Sequence, residues 1–419
     1  MNSSDPSATP LKADKATVRR HNLSLVLRTV HSEGEATRAG VAGRVGLTRA
    51  AVSSLVDQLI ADGFLTEWGK TLSGQVGRPG TALKVARTGP AGLGIEINID
   101  YVTVCVVDLA GTDRVRLVER KDNRGAAPST VLAQAAQIAA RALESAAEQE
   151  LHPVAAELAL PGLVSGGTMR QAPNLGWSRV PVEGLFAQAL TALRPAHRAL
   201  PVSADNEANL AAMAELWFGG CAGDGGRDRV NSFIYLTGEI GIGGALVLNG
   251  QLLRGAHGFA GEIGHVVVDP DGPDCRCGAR GCLEQYAGQA ALLRAAGLDE
   301  AAGAAGIDEL ETRARAGDDR ALSTLESAGR RLGQVLSGAV NLVDPDAVML
   351  GGVFRRLTPW MAPAADEELT GRVVSGLWSP GNGRLRASSS SGDAARGAAA
   401  RVVREVLADP APYAKHRVV

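Results

Sequence analysis

Apolar residues recur at helical spacing through the first sixty positions and then switch to a period of two. Leu23, Val26, Leu27 and Val30 fall at i, i+3, i+4 and i+7, which predicts a helix ending near Ser32-Glu33-Gly34. Val41, Ala42 and Val45 predict a shorter helix that starts after Thr37 and stops at Gly46. Thr48 is placed to cap a third helix, whose inward face is Val52, Leu55, Val56, Leu59 and Ile60. In the link Val45-Gly46-Leu47 the glycine suits a sharp turn and Leu47 fills the space between the helices. After Gly63 the run Phe64-Leu65-Thr66-Glu67-Trp68 alternates, a Gly-rich stretch follows, and Thr81 to Val85 alternates again, so a hairpin is expected. Three helices and a hairpin make a winged helix-turn-helix over residues 15–87, behind a polar segment, 1–14, read as a disordered tail.

Beyond it, Gly92 to Gly111 is an alternating apolar stretch closed by a glycine turn, expected as a hairpin of a mixed sheet. Residues 126–149 and 286–336 are Ala-rich with helical periodicity and are expected to lie on two sheets. A last helix is expected to run to about Leu407, followed by a tail over 408–419. Strands alternating with helices indicate an α/β body.

The 419 residues suffice for two or three domains. No run of eighteen apolar residues occurs, so no membrane span is predicted, and the polar N-terminus lacks an apolar export core. A cytoplasmic location is therefore expected. The net charge of −2 conceals an asymmetry: from Lys15 to Arg87 there are eleven Lys and Arg against five Asp and Glu, a balance of +6, which leaves −8 for the remainder. A basic module on an acidic body is what a DNA-binding unit joined to a metabolite-binding domain would show, although a solvated helix face gives the same sum. On the third helix Thr48, Arg49, Ala50, Ser53, Ser54 and Asp57 lie off the apolar stripe. Small polar side chains there permit approach to base edges, and Arg49 can reach guanine or phosphate. A three-helix module that binds nothing would have the same core.

Of five cysteines, Cys105 sits in an apolar strand-like run and Cys221 in a Gly-rich loop. Cys275, Cys277 and Cys282 instead cluster with His265 inside eighteen residues. Three thiolates and one imidazole complete a tetrahedral zinc, leaving no open position, so the ion is expected to be structural; reduced, unliganded thiols are the plain alternative. Few cysteines at metal spacing also fit a reducing compartment. Glu262 and Glu284 flank the cluster, so with His265 three groups able to hold hydroxyls belong to one loop, 265–284 and its approach.

The pattern Gly255-x-x-Gly-x-x-Gly-Glu-x-Gly-His265, followed by Cys275-x-Cys-Gly-x-x-Gly-Cys-x-Glu284, resembles the ROK family of repressors, open reading frames and sugar kinases. The resemblance extends from about Gly92 to about Leu407, and it implies a two-lobed, actin-like sugar-kinase fold over residues 91–407 with its ligand between the lobes. ROK kinases carry Asp-x-Gly-Gly-Thr where this chain has Glu96-Ile97-Asn98-Ile99-Asp100, so side chains replace the glycines that approach ATP phosphates. Thr237 to Gly244 keeps the glycines of a second phosphate loop but inserts Glu239, and Val348 to Phe354 resembles the strand that contacts adenosine. The sugar half is better kept. Leu160 to Val164 and Ala172 to Trp177 match sugar loops, with Asn174 as the amide, and Asp205-Asn-Glu-Ala-Asn209 stands where kinases have Glu-Asn-Asp-Ala-Asn. That puts Glu207, one methylene longer, at the general-base position.

The resemblance thus implies a polyol-binding set of Asn174, Asn206, Glu207, Glu262, His265 and Glu284, with one ring nitrogen of His265 on the metal and the other toward a hydroxyl. Gly77-Arg78-Pro79 is similar to an element between wing and body in ROK repressors, and Arg78 is expected in the minor groove. The leading expectation is a non-enzymatic regulator, most simply a repressor, that binds palindromic operator DNA as a homodimer or homotetramer and answers to a sugar or sugar phosphate. An ATP-dependent sugar kinase with an added DNA-binding domain, and a constitutive DNA-binding protein with a vestigial body, are the alternatives.

Overall fold

The computed structural model describes residues 14–71, 80–198, 200–219, 230–379, 381, 383–389 and 394–414. The N-terminal module consists of α1 (Lys15–Glu33), β1 (Ala36–Thr37), α2 (Arg38–Val45), α3 (Arg49–Ala61), β2 (Leu65–Thr71) and β3 (Gly80–Val85). The side chain of Thr37 accepts the Gly40 amide at 3.1 Å and that of Thr48 accepts the Ala51 amide at 3.2 Å, so both short helices are capped by the residues that precede them. Gly46 adopts φ 69°, which ends α2 and turns the chain toward α3. Leu23, Val26, Leu27, Val30, Val52, Leu55, Val56 and Leu59 are buried together, while Val45, Leu47 and Ile60 pack at the edge of that core. The hairpin gains a third strand, since β1 pairs antiparallel with β3 in the order β1-β3-β2. Two residues carry too little periodicity to announce a strand in sequence. Arg78 and its neighbours, and Cys221, lie outside the described residues.

The first lobe contains β4 (Gly89–Ile97), β5 (Tyr101–Asp108), β6 (Asp113–Arg120), α4 (Pro128–Glu148), β7 (Leu151–Leu160), β8 (Leu163–Ser165), β9 (Thr168–Ala172), β10 (Trp177–Val180), α5 (Val182–Leu193) and β11 (Val202–Asn206). Its main sheet has the order β11-β7-β4-β5-β6, with β4, β5 and β6 antiparallel and β7 and β11 parallel to β4. Strands β8 to β10 form a small separate sheet. The alternation expected for β4 is absent: all nine of its residues are buried. Helices cover the main sheet on both faces, so no position along β4 meets solvent.

The second lobe contains α6 (Glu207–Phe218), β12 (Phe233–Gly238), β13 (Ile242–Leu248), β14 (Gln251–Leu252), α7 (Glu284–Ala287), α8 (Gln289–Ala295), α9 (Gly303–Arg315), α10 (Asp319–Val343), β15 (Ala347–Gly351), α11 (Gly352–Arg372) and β16 (Leu385–Ala387). Its sheet runs β14-β13-β12-β15-β16. Along β12, Ile234 and Leu236 face the core built with α10 and α11, while Phe233 and Tyr235 face α6, which is the two-faced burial of a central strand.

The closing helix α12 (Ala394–Ala408) returns to the first lobe and packs on β4, β5, β7 and α6. Its backbone comes so close to β4 that a Cβ on Gly94 would lie 1.9 Å from the Ala395 carbonyl oxygen, and one on Gly92 2.0 Å from that of Ala399. Ala395, Ala399, Val403, Val406 and Leu407 share one apolar cluster with Val26, Val30 and Val56 of the N-terminal module. The Ser24 hydroxyl donates to the Leu407 carbonyl at 3.0 Å, and Arg20 pairs with Asp409. The expected tail over 408–419 is corrected in part: Ala408 ends α12, and Tyr413 and Ala414 pack against the same cluster, where the apolar surface of the module needs cover. Among the described residues no helix is long and apolar enough to cross a membrane.

Candidate ligand cleft and metal centre

The loop after β14 brings His265, Cys275, Cys277 and Cys282 together, one donor atom of each lying within 4.8 Å of the others. Two hydrogen-bonded turns build it: the Cys275 amide donates to Ala279 at 2.8 Å, the Val268 amide donates to Gly281 at 2.8 Å, and Val267 bridges Cys282. Gly281, at φ 67°, is irreplaceable here, because a Cβ would lie 1.5 Å from the Asp269 carbonyl oxygen. The Cys277 and Cys282 sulfurs are 3.7 Å apart, and the Cys275 sulfur is 3.7 Å from Nδ1 of His265. Sulfurs at about 2.3 Å from a tetrahedral ion are separated by roughly 3.8 Å, so the donors have the spacing of a four-coordinate ion. Burial and the adjacent thiols push Cys282 up to about 12, and a bound cation is what would let three thiolates share this space.

With Nδ1 turned to the thiols, the other ring nitrogen of His265 is left for the interlobe cleft. Asn174, Asn206, Glu207, Glu262, His265 and Glu284 all line one cavity of about 90 Å³ between the lobes. Their roles in holding the fold differ. Asn206 caps α6, its oxygen accepting the Ala208 and Asn209 amides, and its amide donates to the Gly162 carbonyl at 3.0 Å. Its oxygen is thus engaged in shaping the cleft, and one amide hydrogen is left over. Glu284 accepts the Ile242 amide at 3.0 Å, and Gly241 makes room for it, since a Cβ there would lie 2.2 Å from the carboxylate. The glycine loop after β12, which resembles a phosphate loop in sequence, here seats a carboxylate.

Two further cleft residues were not singled out as ligand groups in sequence. Arg276, between two cysteines of the thiol-rich loop, reaches across to Asn174 and donates to its oxygen at 2.9 Å, so this loop is tied to the opposite lobe. Glu239 joins Glu207, Glu262 and Glu284 in giving the cavity four carboxylates. Burial, then Glu96 and Asp100, raises Glu239 to about 8; burial, then Glu96 and Glu239, raises Glu207 well above the ordinary carboxylate range. Glu262 is raised mainly by burial, against the opposing effect of His265. Where two glycines would face a phosphate, the side chains of Asn98 and Ile99 are buried, and the Asn98 amide lies 3.5 Å from Glu207.

On the N-terminal module, Thr48, Arg49, Ala50 and Ser54 are exposed along the start of α3 and Ser53 is half-buried. Arg38 holds this surface in place, donating to the Ser53 carbonyl at 3.1 Å and pairing with Asp57 at 2.7 Å and with Glu67 of the hairpin at 2.9 Å.

A three-helix module with a hairpin, set on a two-lobed α/β body with a polar cleft and a thiol-rich loop, defines the class as one of the sugar-kinase architecture. The chain belongs to the ROK family, whose model matches residues 92–405. It is 27% identical over 369 residues to the xylose repressor of Bacillus subtilis (strain 168), covering 87% of this chain and 90% of that protein. That share exceeds the ROK span, so the likeness runs into the N-terminal module. A glucokinase of Halalkalibacterium halodurans is 29% identical over 278 residues, 62% of this chain and 79% of the kinase. A solved ROK family transcriptional regulator, a homolog of the E. coli MLC protein, superposes with a TM-score of 0.74 at 22% identity, covering 94% of this chain and 97% of that one. This last match speaks to the fold.

Proposed function

We propose that the protein is a sugar-responsive transcriptional repressor. The observation that carries the reading is the exposed, small and polar face of α3 on a module whose core is continuous, through α12, with the lobe that carries the cleft. Thr48, Ala50, Ser53 and Ser54 face the major groove, Arg49 reaches base or phosphate, and Arg78 enters the minor groove. An unidentified sugar occupies the cleft, meeting Asn174, Glu207, Glu262, Glu284 and the free nitrogen of His265, while Asn206 shapes the wall. His265, Cys275, Cys277 and Cys282 would hold zinc, which would cross-link the four side chains and brace the loop. The protein binds a palindromic operator as a symmetric homodimer or homotetramer.

Phosphoryl transfer is disfavoured by the same cleft. Glu207 and Glu239, with Glu96 close enough to raise both, crowd the place a nucleotide phosphate would need. Fluorescence anisotropy on DNA from upstream of the protein's own gene, at fixed salt and across unphosphorylated and phosphorylated sugars, tests the reading. Expected are tight binding, a shift of about tenfold with one sugar, and weaker binding by Arg49→Ala with a shallower salt dependence. Tight DNA binding that no sugar alters overturns the effector role, and sugar-dependent ADP formation overturns the non-enzymatic one.

A further inference from the structure

A second cavity, of about 720 Å³, lies where the N-terminal module meets the body. Its walls come from α1, α6 and α12 together with the residues after β14, so the two parts of the molecule each supply one side. Its chemistry differs from the cleft's. Arg28, Arg254, Arg401 and Arg404 line it against two carboxylates, Asp205 and Glu405, with Glu157 behind Arg401, so arginines outnumber carboxylates by four to three. His31 adds nothing to that excess at neutral pH, because burial and then the charge of Arg404 hold it below its ordinary 6.5.

The arginines are positioned before any ligand arrives. Arg254 is held by Asp205 at 2.6 Å, and Arg401 by Glu157 at 2.8 Å and Asp205 at 3.2 Å; both carboxylates are almost wholly buried. Arg404 lies over the ring of Trp217, 4.8 Å from its centroid. Arg28 stands exposed on α1, on the opposite side of the joint. Between them the floor is apolar, formed by Leu25, Leu210, Met213 and Trp217. Guanidinium groups fixed in place match phosphate oxygens in paired hydrogen bonds, and an apolar floor beneath them favours an organic body over a bare ion.

We propose that this joint is a second ligand site, which takes a small phosphate ester and clamps α1 of the DNA-binding module to α12 and α6 of the body. The cleft and the joint then differ in their polar groups: carboxyl and amide side chains dominate the first and four arginines the second. A phosphate bridging Arg28 to Arg404 crosses the joint itself, so its binding energy depends on the relative placement of the two parts. The proposal does not depend on which sugar fills the cleft.

Isothermal titration of the full chain with glucose 6-phosphate, and separately with inorganic phosphate and with glucose, tests it. Expected is saturable binding of one glucose 6-phosphate per chain, tighter than inorganic phosphate because of the floor. Arg28→Gln and Arg404→Gln should each weaken it about tenfold, while Arg141→Gln, an exposed arginine on α4 that lines neither cavity, leaves it unchanged. Arg28 is exposed, so its variant keeps the test valid should Arg404→Gln disturb the seat of Trp217. Absence of saturable binding by either phosphate overturns the proposal. So does binding that Asn174→Ala abolishes and Arg28→Gln leaves intact, which would place the ester in the cleft.

Discussion

Replacing Gly94 by alanine tests whether the closing helix is seated as closely as described. The added Cβ would stand 1.9 Å from the Ala395 carbonyl oxygen and 2.6 Å from the Ala399 amide nitrogen, both backbone atoms of α12. No rotamer change relieves a backbone clash, so α12 or β4 must retreat by about 1 Å merely to reach 3.0 Å, a separation below which Cβ atoms are essentially never found. A gap of that size forfeits a quarter to a half of the dispersion contact along the interface, where Ala395, Ala398, Ala399 and Val402 are buried. Overpacking of this kind costs about 1–3 kcal/mol, against a gain of about 0.5–1 kcal/mol for removing a glycine from a strand. The net expectation is a loss of roughly 1–2 kcal/mol, a sizeable part of the stability of an ordinary domain. Urea unfolding reads it as a lower midpoint. Amide exchange should also quicken in α1, since α12 holds that helix through Ser24 and the shared apolar cluster. Gly184→Ala is the control: nothing lies within 4 Å of its Cβ, so it should be neutral or stabilising. A Gly94→Ala protein that unfolds with the wild type and exchanges α1 amides no faster would refute the close seating of α12.

Cys275→Ser should lower bound zinc from one per chain toward none, measured by emission spectroscopy, and lower the melting temperature; full metal retention would remove Cys275 from the donor set. Arg276→Ala frees the Asn174 oxygen, so whichever sugar shifts operator affinity should bind about fivefold tighter, corresponding to about 1 kcal/mol for a hydrogen bond no longer displaced. Weaker binding would mean that Arg276 itself contacts the ligand. Glu157 has its carboxyl raised from 4.5 to about 7, chiefly by burial, so the folded state holds the extra proton between those values and stability falls as pH rises through that window. The loss approaches about 3 kcal/mol at pH 8, and Glu157→Gln should flatten the dependence of the urea midpoint between pH 5 and 8. Stability that instead rises from pH 5 to 8 in the wild type, and equally in the variant, would contradict the burial of a protonated Glu157.

The features legible in the sequence were those with a local signature. Thr37, Gly46 and Thr48 mark helix ends within a few residues, and the stripe from Leu23 to Val30 has one consistent period, so the three helices could be placed. His265 and the three clustered cysteines lie in one loop, where their spacing brings the candidate donors together. The cleft residues, spread from Asn174 to Glu284, have no common period; the family pattern named them, and the structure brings them to one cavity. What escaped were partnerships between distant segments. Arg276 with Asn174, and Arg401 with Glu157 and Asp205, join residues about 100 to 240 positions apart, and no short-range pattern encodes such pairs. The same reason hid the uniform burial of β4, which depends on α12 arriving from the far end of the chain.

That arrival has a temporal side. Helix α12 lies C-terminal to every element of the sheet, the α6 layer and the DNA-binding module on which it packs. Roughly 300 residues separate β4 from α12, which at about 5–20 residues per second amounts to about 15–60 s of synthesis. Throughout that interval one face of the first-lobe sheet and one flank of α1 lack their apolar cover, a demand on chaperones that the finished molecule no longer shows. The three helices of the N-terminal module emerge early in translation, but the module acquires its seat on the body only once α12 has been made. Any message truncated before residue 394 would therefore leave the module without the helix that joins its core to the body.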